Sequence, residues 1–216
     1  MSERWSERAW VQDLRKRLTT LVALLAVVGT ALTGLAFVGV LGNQSGGEGI
    51  EDALILNTIA APGFEQLDVG PKAGKLAPDF EISDFDGQRH QLSDFRGKTV
   101  YVTFWASWCG PCRAELPDIE QLQAEHPDDL VVIAVNRAEP LSKARGFLED
   151  LTRSDGGTGV SFPVNGIDPD DTLYDKYRGI GMPVSVFIDP DGVVTQVHNG
   201  LILLEQMEEA LAEAAA

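Results

Sequence analysis

The chain has two cysteines, and both lie in Trp108-Cys109-Gly110-Pro111-Cys112. That pentad stands between an apolar, β-branched and aromatic run, Thr99 to Ala106, and a helix-like run, Arg113 to Gln123. A cysteine pair with two intervening residues at a strand-to-helix junction reads as a redox dithiol. A helix start leaves backbone N–H groups unpaired and carries a partial positive charge. A thiolate on Cys109 is favoured there, so its pKa is expected below the free value of about 8.5. Cys112, one turn further in, is placed to attack a mixed disulfide formed on Cys109. Gly110 reads as permitting a close backbone turn. Pro111 reads as fixing φ at the helix entry, where its missing N–H costs little. A zinc site takes about four ligands. The pair supplies only two, and His90, His126 and His198 show no paired spacing; no metal and no cofactor are expected. A purely structural bridge over so short a loop would constrain the unfolded chain little.

The amino-terminal third is of another kind. Leu18 to Leu41 is uncharged, with threonine as its one polar residue type. As a helix those 24 residues span roughly 36 Å, enough for a bilayer core of about 30 Å. A cleaved signal peptide is the alternative, but its apolar core is shorter and ends in small residues; Val38-Gly39-Val40-Leu41 does not fit. An uncleaved anchor is the preferred reading. Arg15-Lys16-Arg17 flanks it, and no basic residue follows until Lys72. The positive-inside rule therefore puts residues 1–17 in the cytoplasm and the rest outside. Residues 42–64 read as a linker, Gly- and Ser-containing at first, with a short helix or strand between Ile50 and Ala60. The folded domain is expected over 65–216.

The formal net charge is −16, and the first 17 residues hold five basic against three acidic side chains, leaving 12 basic against 30 acidic in the rest. So acidic a body argues against nucleic-acid binding, which needs a basic face.

Along the body, Phe80–Ser83 and His90–Leu92 flank Asp84-Phe85-Asp86-Gly87, a hairpin signal. Thr99–Ala106 is apolar on both faces, as a central buried strand is. The helix after Cys112 repeats Leu116, Ile119 and Leu122, with Pro117 expected to kink it. Leu130–Val135 is a second buried strand. Leu141–Leu151 forms a helix with Ala144, Phe147, Leu148 and Leu151 inward, followed by a Gly-rich loop at 155–159. Phe162–Val164 reads as a short strand and Thr172–Tyr177 as a helix. Val184–Ile188 and Val193–Val197 form a hairpin across Asp189-Pro190-Asp191-Gly192, and Leu203–Ala214 closes the chain as a helix. This order gives an α/β fold, a mixed sheet with helices on both faces.

With these pieces in place, the chain resembles the thioredoxin superfamily and, within it, the membrane-anchored ResA/TlpA-type thiol–disulfide oxidoreductases linked to cytochrome c maturation. The resemblance covers about residues 70–214. It is carried by Ala77-Pro78-Asp79-Phe80, Leu92-Ser93-Asp94-Phe95-Arg96-Gly97-Lys98, Phe104-Trp105-Ala106-Ser107-Trp108-Cys109-Gly110-Pro111-Cys112-Arg113, Glu115-Leu116-Pro117 and Gly181-Met182-Pro183. It implies a thioredoxin fold with an amino-terminal β-hairpin and an α/β insertion near 155–180. It implies catalysis by Cys109 and Cys112, with Trp108, Gly110 and Pro111 in support. Glu115, on the helical face of Cys112, matches the family's acid near the cysteines. Thr103 stands where cytosolic thioredoxins carry a buried Asp. Pro183 matches the family's cis-proline and, with Met182, its substrate-binding edge. The implied partners are protein disulfides, apocytochrome c among them, and a membrane electron donor of the CcdA/DsbD type.

Two other functions compete. A peroxiredoxin-like peroxidase shares the Ala-Pro-Asp-Phe opening, but that family places Thr three residues before its reactive Cys, where this chain has Ala106. A Sco-type copper-binding module needs a wider cysteine spacing and a partner His.

Overall fold

Thr99–Trp105 forms β4, and all seven of its residues are buried. The computed structural model describes residues 53–216; the tail expected at 1–17 and the anchor expected at 18–41 lie outside the described residues. Ahead of β4 come β1 (Leu54–Ile55), β2 (Phe80–Ser83), β3 (Arg89–Gln91) and a 3-10 turn at Leu92–Phe95. After it come α1 (Gly110–Glu125), β5 (Leu130–Arg137), α2 (Leu141–Asp150), β6 (Val164–Asp168), α3 (Thr172–Lys176), β7 (Val184–Ile188), β8 (Val194–Asn199) and α4 (Leu204–Ala214). The central sheet has the order β6-β5-β4-β7-β8. β4 pairs parallel with β5 and antiparallel with β7, and β5 pairs parallel with β6.

Side chains of a strand alternate between faces, and β4 divides the core accordingly. Tyr101 and Trp105 join Leu116, Ile119 and Leu122 of α1, Ala144 and Leu148 of α2, and Met207, Ala210 and Leu211 of α4. Val100, Val102 and Phe104 face the other way, onto Phe80 and Ile82 of β2, Leu92, and Leu173 and Tyr174 of α3. Burying side chains of this size stabilises by about 1.5–3 kcal/mol each. With both faces covered, the strand takes apolar, aromatic and β-branched residues on both faces, which is why its sequence runs without regular polar alternation.

The two Asp-Gly turns form as their chemistry demands. Asp84 Oδ1 accepts the N–H groups of Asp86 and Gln88 at 2.9 and 2.8 Å, and Asp189 Oδ1 those of Asp191 and Val193 at 3.0 and 2.8 Å. Gly87 and Gly192 supply the positive φ of 81° and 89°. α1 continues through Pro117 to Glu125.

One expectation is corrected. The strand expected at Phe162–Val164 instead starts at Val164 and runs to Asp168, where it pairs parallel with Ile133–Arg137 of β5. A Cβ on Gly166 would lie 2.7 Å from Ile82 Cδ1, so glycine lets the hairpin pack closely there. Asp168 is fully buried and accepts the N–H of Leu173 at 3.0 Å and of Tyr174 at 2.9 Å, tying down the start of α3. Between Ile50 and Ala60, where a short helix or strand was expected, Leu54 and Ile55 pair antiparallel with Glu81 and Phe80, making the hairpin a three-stranded sheet.

Between α3 and Pro183 the chain folds tightly on Tyr174. The Tyr174 hydroxyl donates to the carbonyl of Gly181 at 2.6 Å, and its ring lies 3.6 Å under the Arg137 guanidinium. A Cβ on Gly179 would fall 2.2 Å from Tyr174 Cε2. Gly179→Ala is therefore expected to destabilise by about 1–3 kcal/mol, read as a lower urea midpoint at unchanged slope.

Candidate active site

β4 ends at Trp105, three residues turn, and Cys109 becomes the N-cap of α1. Its sulfur accepts the Cys112 N–H at 3.1 Å, taking the place of the oxygen that caps most helices. Pro111 lies in the first turn, where no intrahelical N–H is required of it. The two cysteines are joined as a disulfide. Cys112 is fully buried, as a residue inside the first turn should be.

Only 4% of Cys109 is exposed in the oxidised protein, because it is packed in the same cluster as Trp105 and Leu116. Trp108 is 62% exposed and stands at the rim. One detail differs from the sequence reading. Gly110 was expected to serve a close turn, but it is exposed, has no positive φ, and a Cβ there would meet nothing within 4 Å. Met182 is half-buried and packs on the cluster that contains both cysteines. Pro183 is buried, and the Met182–Pro183 bond is cis.

Glu115 is 1% exposed, far from the surface position its charge suggests. Its Oε2 accepts the Ile202 N–H at 3.3 Å, while Oε1 has no hydrogen-bond partner. Burial pushes its pKa up, the Ile202 amide and the nearby Thr103 hydroxyl hold it down, and Asp118 adds a smaller upward push; the result is about 8. At neutral pH this side chain is therefore a proton-bearing acid. Thr103 is itself fully buried, and its hydroxyl also lacks a full hydrogen bond. On the same face of β4 the Tyr101 hydroxyl meets Ser185 Oγ at 2.9 Å, and burial, with the Glu115 charge second, raises the Tyr101 pKa far above its ordinary value. The core behind Cys112 thus carries a polar seam of Glu115, Thr103, Tyr101 and Ser185. A local acid can exchange a proton with a buried thiol only if it holds one in the working pH range, and Glu115 does.

Reading the sequence missed Glu139. It is 5% exposed and bonds both the amide and the hydroxyl of Ser107, just ahead of the dithiol. The one hint was Asn136, a polar residue at the end of an apolar strand.

The Redoxin family profile matches residues 72–213, a span that runs from ahead of β2 into α4 and holds the whole dithiol site. The chain belongs to the Redoxin family. Among curated relatives, this redoxin is 36% identical over 157 residues to the thioredoxin-like protein YneN of Bacillus subtilis, covering 68% of this chain and 84% of that one. It is 35% identical over 139 residues to the thiol-disulfide oxidoreductase ResA of Geobacillus kaustophilus, covering 64% and 75%. Among solved structures, one from Chlorobium tepidum assigned as the thiol:disulfide interchange protein DsbE superposes with a TM-score of 0.56 at 34% identity, covering 67% of this redoxin and 99% of that chain.

Proposed function

We propose that this redoxin, a thiol–disulfide oxidoreductase of the ResA/DsbE type, reduces disulfides of partner proteins on the outer side of a membrane. In this reading residues 18–41 are a single-pass anchor, with 1–17 in the cytoplasm. The observation that carries the chemistry is the Cys109 sulfur at the amino end of α1, bonded by the Cys112 N–H at 3.1 Å, with Cys112 fully buried behind it. In the reduced protein the same amide and the helix terminus stabilise a thiolate on Cys109.

The thiolate attacks one sulfur of a substrate disulfide. The substrate S–S bond breaks, an intermolecular S–S bond forms, and the other substrate sulfur leaves as a thiolate. Cys112 then loses its proton, taken up by the ionised fraction of Glu115 or by solvent, and attacks Cys109. The intermolecular bond breaks, the Cys109–Cys112 disulfide forms, and two electrons have passed to the substrate. Met182 and Pro183 offer the substrate its backbone edge, and Trp108 its exposed apolar rim. A membrane dithiol donor of the CcdA/DsbD type returns the electrons. Apocytochrome c, whose haem-attachment cysteines must be reduced before use, is the substrate this reading favours. The ResA and DsbE relatives support the thiol–disulfide chemistry, and the one-sided basic flank Arg15-Lys16-Arg17 supports the topology.

Two measurements test it. Reduced protein mixed with oxidised apocytochrome c is expected to reduce one disulfide per dithiol consumed; absence of transfer removes that substrate. In whole cells, a membrane-impermeant thiol reagent is expected to label Cys109 after mild reduction. Labelling only after the membrane is opened would place the domain inside.

A further inference from the structure

Ser107, two residues before Cys109, is held by a buried carboxylate that arrives from the other side of the sheet end. Trp105 at the end of β4 lies in register with Asn136 of β5, and β5 leads through Ala138 into Glu139. Ala138 has φ 50°, a left-handed conformation that a residue with a Cβ seldom adopts and that tends to occur at functional sites. Glu139 Oε2 accepts the Ser107 N–H at 2.7 Å and Asn136 Nδ2 at 3.0 Å. Glu139 Oε1 accepts the Ser107 hydroxyl at 2.7 Å and the Lys143 ammonium at 2.6 Å. Each oxygen thus has two donors, which is how a buried carboxylate is tolerated. Partial burial opposes its ionisation, but Lys143, Ser107 and Asn136 outweigh that and hold its pKa near 2.

We propose that Glu139 is a positioning residue for the thiol–disulfide reaction. By clasping both the amide and the hydroxyl of Ser107 it fixes the Ala106–Trp108 turn, and so keeps the Cys109 sulfur at the helix N-cap where the Cys112 N–H meets it. This rests on the reading of Cys109 as the attacking sulfur. Glu139 bonds neither cysteine; it acts through Ser107. A clasp that served stability alone would leave the reactivity of folded protein unchanged, whereas a positioning clasp sets how well the thiolate is stabilised.

The test uses the full-length Cys112→Ser protein, in which Cys109 alone can react. The rate constant with dithiobis(2-nitrobenzoate), a disulfide too small to need a docking surface, is measured beside the Cys109 thiolate titration by ultraviolet absorbance. Adding Ser107→Ala removes one donor and no charge. Adding Glu139→Gln together with Lys143→Gln removes the clasp while keeping the local charge balanced. Arg113 and Glu115 of α1 are the same in every variant, so their fields cancel in the comparison. Ser107→Ala is expected to raise the Cys109 pKa and slow the reaction at neutral pH about fivefold, the worth of one ordinary hydrogen bond. The charge-balanced variant is expected to slow it further, and Ser107→Thr to restore it. Unchanged rate and titration in Ser107→Ala, the variant least able to unfold the protein, would overturn the proposal whatever the melting temperatures show. An unreactive Cys112→Ser parent would instead remove the assignment of the attacking sulfur, and this proposal with it, before any clasp variant is compared.

Discussion

In the Cys112→Ser protein a covalent adduct between Cys109 and its substrate is expected to accumulate, while the Cys109→Ser protein accumulates none. Both variants lose turnover by roughly 10³-fold or more, as when either member of a catalytic pair is removed, yet they fail at different steps. Attack needs a thiolate with access. Cys109 has both the Cys112 N–H at its sulfur and the position nearer the surface, 4% exposed against none for Cys112. Without Cys112 the mixed disulfide has no internal sulfur to resolve it. Non-reducing electrophoresis of the membrane fraction reads the adduct directly, and mass spectrometry of the linked partner names the substrate. Adducts accumulating on the Cys109→Ser protein instead would reverse the two roles and refute the argument from the helix terminus.

The second large effect is on stability. Glu115 has a folded pKa of about 8 against 4.5 for an exposed glutamate, and burial is the main cause. Well below pH 4.5 the carboxyl is protonated in both folded and unfolded chains and adds no pH dependence. As the pH rises from 4.5 to about 8 the unfolded chain gives up a proton that the folded chain keeps. Stability from this group therefore falls across that window, by up to 1.36 kcal/mol per pH unit, and levels off above it. The total is on the order of several kcal/mol. Glu115→Gln replaces a neutral acid with a neutral amide, and the new N–H can meet the unpartnered Thr103 hydroxyl. The variant is expected to match wild type at pH 4 and to exceed it at pH 8, in urea titrations of the oxidised protein. The same substitution should alter the pH dependence of Cys112 thiolate formation. Parallel stability curves for the two proteins would show that Glu115 ionises freely in the fold. Glu139 slopes the opposite way. Its pKa is lowered to about 2, so its contribution is present above pH 4.5 and lost as the pH falls toward 2.

What was legible in the sequence was what short-range pattern determines. The apolar run of β4, the cysteine pair, the Asp-Gly turns and the repeat of Leu116, Ile119 and Leu122 each carry their structure in a few neighbouring residues. β6 was placed too early, because Asn165, Gly166 and Asp168 look like a loop until Ile82 packs on the glycine and the α3 amides bond the aspartate. Glu115 was placed near the cysteines by resemblance alone; nothing local marks its burial, since the amide it bonds, Ile202, lies 87 residues later. Glu139 was invisible for the same reason: the Ser107 donors that make its burial tolerable are 32 residues away. Polar residues that serve the site are buried by partners far along the chain, and no local period announces them.

The small sheet at the amino end has a mechanical consequence. β1 is two residues long and belongs to the β1-β2-β3 sheet, outside the five strands that carry the dithiol. Leu56 N–H to Asp79 O at 3.0 Å and Asp79 N–H to Thr58 Oγ1 at 2.9 Å are its nearest reinforcements. Any tug on the chain ahead of residue 53 loads these few bonds first. Beyond them the chain is bonded straight to the edge of the central sheet, Val194 N–H to Lys75 O at 2.9 Å and Ala77 N–H to Gly192 O at 2.9 Å. A pull that outlasts β1 is therefore expected to arrive at β8, two strands away from β4 and the sulfur at its end.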